Sequence, residues 1–220
     1  MAEIKGLLFD LDGVLVDTAK FHFLAWRRMA NEIGFDFNEE QNEQLKGISR
    51  KESIARILEW GQVVLEPSEV EKYMTLKNDW YLEFIETVTP NDVLSGADVF
   101  IKDCKAAGYK IALGSASKNA KPILDKLALT PLFDALIDGN VVSASKPNPE
   151  VFLKGAEALR LLPENCLVFE DAIAGIEAAH NGGMKAVGIG EADVLGQAEV
   201  VFENLSGISI SHILEKITQS

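Results

Sequence analysis

The sequence predicts an α/β fold, a doubly wound and mostly parallel sheet with an α-helical domain inserted into it. Two observations indicate the sheet: short apolar runs recur along the chain, and segments with helical periodicity separate most of them. A third indicates the insertion, because residues 17–89 contain four helical patterns with no strand pattern between them. We therefore expect a sheet core formed by residues 1–16 and 90–220, and a helical cap formed by residues 17–89.

The six predicted strands are short and apolar, as expected for parallel strands buried on both faces. The first, Ile4–Phe9, stops at an acidic turn. The others are Lys110–Gly114, Ala135–Ile137, Cys166–Phe169, Lys185–Ile189 and Val200–Phe202. In open sheets of this kind ligands bind outside the carboxyl ends of the strands, so the residues that directly follow each strand are the candidates for function.

The predicted core helices begin at proline or end at glycine: Gly108 follows the helix over 97–107, Pro149 opens 150–161, and Gly182 and Gly183 follow 172–181. The cap helices are predicted over 21–33, 39–46, 50–60 and 68–87. Ser49 with Glu52, and Ser68 with Glu71, predict capping boxes at the last two, while Gly34 and Gly61 predict C-terminal caps. An insertion directly after the first strand can close over the strand ends as a mobile cap.

Composition excludes several classes of partner. Lys and Arg number 21 against 34 Asp and Glu, a net charge of −13 that repels nucleic acid and anionic lipid surfaces. No apolar run is long enough for a membrane span, and the amino terminus lacks a signal-peptide pattern, so we expect a cytoplasmic protein, with a monomer as the default assembly. Cys104 and Cys166, outside any Cys-x-x-Cys pair, are expected to be reduced and unreactive.

Polar residues stand at the ends of successive strands. Asp10 and Asp12 follow the first strand, with Gly13 permitting a sharp turn, Ser115 follows the second, and Glu170 and Asp171 end the fourth. Lys146 lies in a Ser-Lys-Pro-Asn-Pro segment. Each has an ordinary alternative when taken alone: a solvated turn, a helix N-cap or a surface lysine. Together, and in this order, they indicate one site.

The run Asp10-Leu-Asp-Gly-Val-Leu-Val-Asp-Thr18 resembles the first motif of the haloacid dehalogenase superfamily, most of whose members are phosphatases and phosphomutases. The resemblance implies a Rossmann-like core in which Asp10 attacks phosphorus and Asp12 is the general acid and base. It also implies that Ser115 binds phosphate and that Lys146 neutralises charge. One Mg²⁺ ion would be held by Asp10, the Asp12 carbonyl, Glu170 and Asp171. Asp12 argues against the dehalogenase branch, because halide leaves without a proton.

Stretches 18–26, 44–53, 77–79 and 114–119 resemble the sugar-phosphate mutases of that superfamily. This implies isomerisation of β-glucose 1-phosphate to glucose 6-phosphate, with glucose 1,6-bisphosphate as intermediate and primer. The implied substrate-binding residues are Thr18, His22, Gly47, Arg50, Ser53, Lys77, Ala116, Ser117 and Asn119. Among them Arg50, Ser117 and Asn119 would hold the phosphate that is not being transferred, and His22 would help to orient Asp12.

Some features stay open at this point. Arg50 and Lys51 stand in the first turn of a helix, where a cation costs about 0.3–1 kcal/mol unless an anion binds there; two solvated side chains are the alternative. Trp26 and Trp80 are expected to pack in the cap core. Ala172 stands where some relatives carry a hydroxyl residue beside the metal site. A magnesium-dependent sugar-phosphate phosphatase and a non-catalytic phosphometabolite-binding protein are the alternative functions.

Overall fold

The computed structural model describes residues 3–219, so that Met1, Ala2 and Ser220, at the ends of the predicted core, lie outside the described residues. Six strands form one sheet: β1 Gly6–Phe9, β2 Lys110–Gly114, β3 Ala135–Ile137, β4 Cys166–Glu170, β5 Lys185–Ile189 and β6 Val200–Phe202. Their order is β3-β2-β1-β4-β5-β6, and every neighbouring pair among the described strands is parallel. The predicted fold class is confirmed.

Helices cover both faces of the sheet. Helices α5 (Ala97–Ala106), α6 (Ala120–Lys126) and α10 (Ile210–Gln219) contribute to one apolar core with Leu7 and Phe9. Helices α7 (Glu150–Leu159), α8 (Ile173–Asn181) and α9 (Ala192–Leu195) contribute to a second core with Leu8. Because alternate residues of a strand point to opposite faces, the run Leu7-Leu8-Phe9 serves both cores.

The cap contains four helices between β1 and α5: α1 Ala19–Glu32, α2 Glu39–Glu43, α3 Arg50–Trp60 and α4 Pro67–Ile85. Helix α1 buries Trp26 and Met29, and helix α4 buries Trp80 and Tyr81. Both tryptophans therefore lie in the cap core as expected. No helix among residues 3–219 combines the length and the apolar character needed to cross a bilayer.

Helix ends agree with the sequence in part. Ser49 and Glu52 form the predicted capping box, and Gly34 ends α1 with the predicted left-handed φ of 82°. The prediction of a capping box formed by Ser68 and Glu71 is wrong. Helix α4 begins at Pro67, whose fixed φ and missing N–H suit the first helical position, and Glu66 and Glu69 form its capping box instead.

Gly61 is the C-cap of α3, as predicted; its φ of −76° is right-handed, and Gln62 after it takes the left-handed conformation. A further helix end differs from the prediction. Helix α2 ends at Glu43 rather than at Lys46. Residues 44–47 therefore form turns, and these turns carry Lys46 and Gly47 to the edge of the site.

Candidate active site

The carboxyl ends of β1, β2 and β4 bring three buried polar side chains together: Asp10, Ser115 and Glu170. The backbone N–H of Asp10 donates to the carbonyl of Phe169, 3.0 Å away, so the hydrogen bonding of the sheet extends to the residue that carries the first carboxylate. Since the strand order reverses direction at β1, these residues lie at the crevice where open α/β sheets bind ligands.

Lys146 reaches this point from the loop between β3 and α7. Its Nζ lies 2.6 Å from Asp10 Oδ1, contacts Glu170 Oε1, and lies 4.8 Å from the centre of the Phe152 ring. Burial alone would lower the pKa of Lys146, but the Asp10 and Glu170 carboxylates outweigh it and raise that pKa above its ordinary value. The side chain is buried, so it is a fixed positive charge inside the site and not a surface lysine.

A second feature is a group of carboxylates with the donor chemistry of a magnesium site. One oxygen from each of Asp10, Glu170 and Asp171 lies within 4.8 Å of the others. Burial raises the pKa of the Glu170 and Asp171 carboxyls. Repulsion from the nearby Asp10 carboxylate raises it further, and Lys146 neutralises this group of charges only in part. Such a set of hard oxygen donors fits Mg²⁺.

Two glycines let these carboxylates approach. A Cβ atom at Gly13, whose φ is 73°, would overlap the Asp171 carboxylate, and one at Gly175 would overlap that of Glu170. The Ala172 side chain offers no hydroxyl, but its backbone N–H donates to Glu170 Oε2 over 3.0 Å. Residue 172 therefore supports the carboxylate group through its main chain.

Asp12 points into the same site from the turn after β1. Burial, and next the Asp10 carboxylate, raise the pKa of Asp12 to about 7. Thr18 donates a hydrogen bond to Asp12 Oδ1, and Tyr81 of α4 donates to Thr18 Oγ1 over 3.2 Å. A carboxyl group that exchanges its proton near neutral pH suits general acid and base chemistry.

His22 and Lys77 form a buried pair in the cap. Lys77 Nζ lies 2.7 Å from His22 Nδ1 and 4.6 Å from the centre of the Trp26 ring. Burial lowers the pKa of both groups well below their ordinary values. The positive charges of Lys77 and Arg50 lower the pKa of His22 further, and that of Arg50 lowers the pKa of Lys77, against a smaller opposite effect of Asp12. His22 stacks on Tyr81, with 4.2 Å between ring centres, so it reaches Asp12 through Tyr81 and Thr18.

The segment after β2, which the sequence predicts to bind phosphate, is folded on itself. The N–H of Ser117 donates to Ser115 Oγ over 3.1 Å, and the N–H of Asn119 donates to Ser117 Oγ over 3.2 Å. Helix α6 begins only at Ala120 with Asn119 as its N-cap. Neither serine is therefore the N-cap, and the N–H groups of Ser117 and Asn119 are hydrogen-bonded within the segment.

A cavity of about 450 Å³ separates the cap from the strand ends. Most of the predicted site residues line it: Asp10, Asp12, His22, Gly47, Arg50, Ser53, Lys77, Ser115, Ala116, Ser117, Asn119 and Asp171. Thr18, Lys146 and Glu170 are buried behind this surface and touch it through Asp12 and Asp10. The cavity also receives Trp26, which the sequence assigned to packing alone.

Comparison with known proteins places the chain in a family. The model of the haloacid dehalogenase-like hydrolases matches residues 4–183. A β-phosphoglucomutase of Bacillus subtilis is 39% identical over 218 residues, 98% of this chain and 96% of that protein. The chain belongs to the haloacid dehalogenase-like hydrolase family.

Two further proteins, a mutase and a phosphatase, are similar to this chain. The crystal structure of a β-phosphoglucomutase from Clostridium difficile superposes with a TM-score of 0.94 at 39% identity and covers 98% of both chains. A fructose-1-phosphate phosphatase of Escherichia coli is 31% identical over 84% of this chain and 95% of that protein. The family thus includes mutases and phosphatases that are similar to this chain.

Three residues of this family member contact predicted site residues but were given no role from the sequence. Lys46 Nζ lies 3.4 Å from Asp171 Oδ2 and also pairs with Glu43. Asn78 accepts hydrogen bonds from Arg50 and Asn119, and Tyr81 supports Thr18. Lys46 lies next to Gly47, and Asn78 next to Lys77, in the stretches 44–53 and 77–79 that resemble sugar-phosphate mutases. This adjacency to predicted site residues was the sequence signal that could have identified them. Tyr81 left no polar pattern, because α4 buries it.

Proposed function

We propose that this protein is a β-phosphoglucomutase, which converts β-D-glucose 1-phosphate into glucose 6-phosphate through a phosphorylated Asp10 and a β-glucose 1,6-bisphosphate intermediate. One observation carries the proposal: a single cavity is lined by Asp10 and Ser115, with Lys146 buried behind Asp10, and also by Arg50 of the cap and Asn119 of the core, which meet at Asn78. A bisphosphate needs two phosphate sites, whereas hydrolysis of a monophosphate needs one. The similarity to two β-phosphoglucomutases over nearly the whole chain supports the same conclusion.

At the reacting end, an Asp10 oxygen attacks the phosphorus, and Lys146 balances the negative charge on Asp10 and the phosphoryl group. Asp12 gives its proton to the leaving sugar oxygen and, in the second transfer, takes one from the attacking hydroxyl. The raised pKa of Asp12 suits both directions. Asp10, Glu170, Asp171 and the Asp12 carbonyl would hold one Mg²⁺ ion, which supplies further neutralisation of phosphoryl charge.

At the other end, Arg50, Ser117 and Asn119 hold the phosphate that is not transferred, since a guanidinium binds phosphate in a bidentate manner. His22, Lys77, Thr18 and Tyr81 form the wall that positions Asp12. Gly47, Ser53 and Ala116 complete the sugar cavity. The proposal further includes glucose 1,6-bisphosphate as primer, a monomeric assembly and a cytoplasmic location.

The test is an assay of β-glucose 1-phosphate with Mg²⁺ and the bisphosphate primer, scored for glucose 6-phosphate and for free phosphate. We expect glucose 6-phosphate to form much faster than phosphate. Asp10→Asn should abolish turnover, because an amide is not a nucleophile for phosphorus. Release of phosphate without glucose 6-phosphate would instead establish the phosphatase that the Escherichia coli relative exemplifies. A folded protein that binds the sugar phosphates without turnover would establish the binding protein.

A further inference from the structure

Asn78 of the cap joins two residues from opposite sides of the cavity. Its Oδ1 accepts a hydrogen bond from Arg50 Nη2 over 2.6 Å and another from Asn119 Nδ2 over 2.9 Å. Arg50 and Asn78 belong to the cap helices α3 and α4, whereas Asn119 precedes α6 of the core. We call this arrangement the Asn78 bridge.

The chemistry of the three groups fixes which atom of Asn78 lies in the bridge. A guanidinium has only N–H donors, so the atom 2.6 Å from Arg50 is the amide oxygen. The atom of Asn119 that faces the same oxygen is then its NH₂ group. Two donors from different domains therefore converge on one neutral acceptor, and each keeps further N–H groups for another ligand.

The bridge orients Arg50 without neutralising it. Within residues 3–219, Arg50 has no carboxylate within salt-bridge distance, although its side chain is half-buried. Burial lowers the pKa of Arg50, the direction expected for a cation that is partly removed from water and lacks a close counter-ion. A carboxylate in the place of Asn78 would pair with the guanidinium and remove the charge that an oxyanion needs.

We propose that Asn78 is the positioning residue of the second phosphate site, which holds Arg50 and Asn119 at one point so that both donate to the same phosphate. The amide is required rather than a carboxylate, because it aligns the guanidinium and leaves its charge available. The inference rests on the proposed function, since it takes the site for the phosphate that is not transferred as its premise.

The test compares Asn78→Ala and Asn78→Asp with Arg50→Ala and with Glu86→Gln. Glu86 accepts from Lys126 over 3.0 Å, so its variant removes the negative charge from another polar contact between cap and core and is the matched control. Each variant is assayed for the KM of β-glucose 1-phosphate with primer, which needs both phosphate sites. Each is also assayed for hydrolysis of acetyl phosphate, which needs only the site around Asp10. Thermal melting confirms that each variant is folded.

We expect Asn78→Ala to raise the KM at least about tenfold, the effect of losing one hydrogen bond to a charged group. Asn78→Asp should raise it at least as much, because the carboxylate keeps the hydrogen bonds but pairs with the guanidinium that must bind the phosphate. Hydrolysis of acetyl phosphate should stay within about twofold of the wild type, and Glu86→Gln should leave both readouts unchanged. Asn78→Asp is the decisive variant, because aspartate preserves the shape of the bridge. A merely structural bridge would tolerate aspartate, and the KM would then stay at the wild-type value.

Three results would overturn the inference. Wild-type KM in both Asn78 variants, while Arg50→Ala is impaired, would leave the second phosphate site intact and remove Asn78 from it. An equal loss of acetyl phosphate hydrolysis would assign Asn78 a general structural role. A wild-type KM in Arg50→Ala would show that the second phosphate site itself, and with it the proposed mutase, is wrong.

Discussion

Two buried lysines of the site have opposite electrostatic surroundings. Lys146 lies against two carboxylates, which raise its pKa, and it carries a fixed charge. Lys77 lies against His22 and two aromatic rings, and burial lowers its pKa well below the ordinary value. A lysine therefore balances negative charge at Asp10, whereas another lysine belongs to a less strongly charged wall in the cap. Burial alone favours the neutral form of both side chains, so the difference comes from the groups that each lysine contacts.

Gly13 gives a prediction at the residue scale. In Gly13→Ala the new Cβ would overlap the Asp171 carboxylate, so Asp171 must move away from the other acidic groups. We expect Mg²⁺ affinity, measured by titration calorimetry, to fall about 10- to 100-fold, as when the support of a metal ligand is lost.

Gly34→Ala is the matched control for this prediction. Gly34 has a φ of 82°, close to that of Gly13, but a Cβ there would meet no atom within 4 Å. Both variants should lose about 1 kcal/mol of stability from the left-handed backbone. Only Gly13→Ala should lose metal affinity. Equal Mg²⁺ affinities in the two variants would show that Asp171 does not depend on the space at Gly13.

At the scale of elements, Glu150 ties the first turn of α7 to the loop that carries Lys146. Its Oε2 accepts from the N–H groups of Ser143 and Ala144, each over 2.8 Å, and Lys154 pairs with its other oxygen. The Lys154 pair, followed by these backbone hydrogen bonds, lowers the pKa of Glu150 from 4.5 to about 2. The carboxylate therefore holds in place the loop from which Lys146 reaches Asp10.

The depressed pKa of Glu150 sets the sign of a pH effect. A lowered pKa in the folded state stabilises the protein fully above the unfolded value of 4.5, and this contribution is lost as the pH falls through about 2. Urea midpoints of Glu150→Gln should therefore lie below the wild type at pH 7, and the difference should shrink towards pH 2. Glu157→Gln, which removes an exposed carboxylate of the same helix, is the control. A constant difference across the range would contradict the assignment.

The turns after α2 bring Lys46 to the carboxylates of the candidate magnesium site. The ammonium pairs with Asp171 and Glu43, and its side chain lines both the cavity between cap and strand ends and a second crevice of about 570 Å³ next to it. A cation at this place repels a divalent ion. Lys46→Met should therefore tighten Mg²⁺ binding about two- to tenfold.

Calorimetry at pH 8.5 is the measurement for Lys46, because the raised pKa values of Glu170 and Asp171 make protons compete with the metal at neutral pH. Lys102→Met changes the net charge equally, but Lys102 pairs with Asp98 on the surface of α5 and is the control. Lys46→Met should bind Mg²⁺ more tightly than this control, and equal or weaker binding would exclude the competition.

The sheet could be predicted from the sequence and the contacts across the cavity could not. Buried parallel strands leave continuous apolar runs, so all six strands were found, with β1 shorter at its start and β4 one residue longer than predicted. The acidic residues at strand ends were found for the same reason. The Asn78 bridge instead joins residues 28 positions apart through the packing of α3 near α4, and residues 41 positions apart through the docking of cap on core. No local periodicity encodes such a contact.

At the scale of the whole molecule, the proposed function requires a protein with a net charge of −13 to bind an anionic substrate. The structure places cations where they act locally: Lys46, Arg50, Lys51 and Lys118 line the cavity, and Lys146 lies behind it. Coulomb interactions over a few ångströms in a partly buried site outweigh those with distant, screened surface charges. The net charge therefore disfavours nucleic acid without preventing phosphate binding.

The two cysteines test whether the layers around the sheet open together. Cys104 of α5 lies in the core on one face and Cys166 of β4 in the core on the other, both fully buried. Burial raises the thiol pKa of Cys104 to about 12 and that of Cys166 to about 11.

We expect both thiols to react with Ellman's reagent at pH 8 at least about a thousandfold more slowly than in the unfolded chain, because labelling requires global opening. Cys104→Ala and Cys166→Ala isolate each thiol, and their labelling rates should rise with urea in parallel. Labelling of one thiol at much lower urea would show that its face opens alone, which a sheet shared by both cores does not allow.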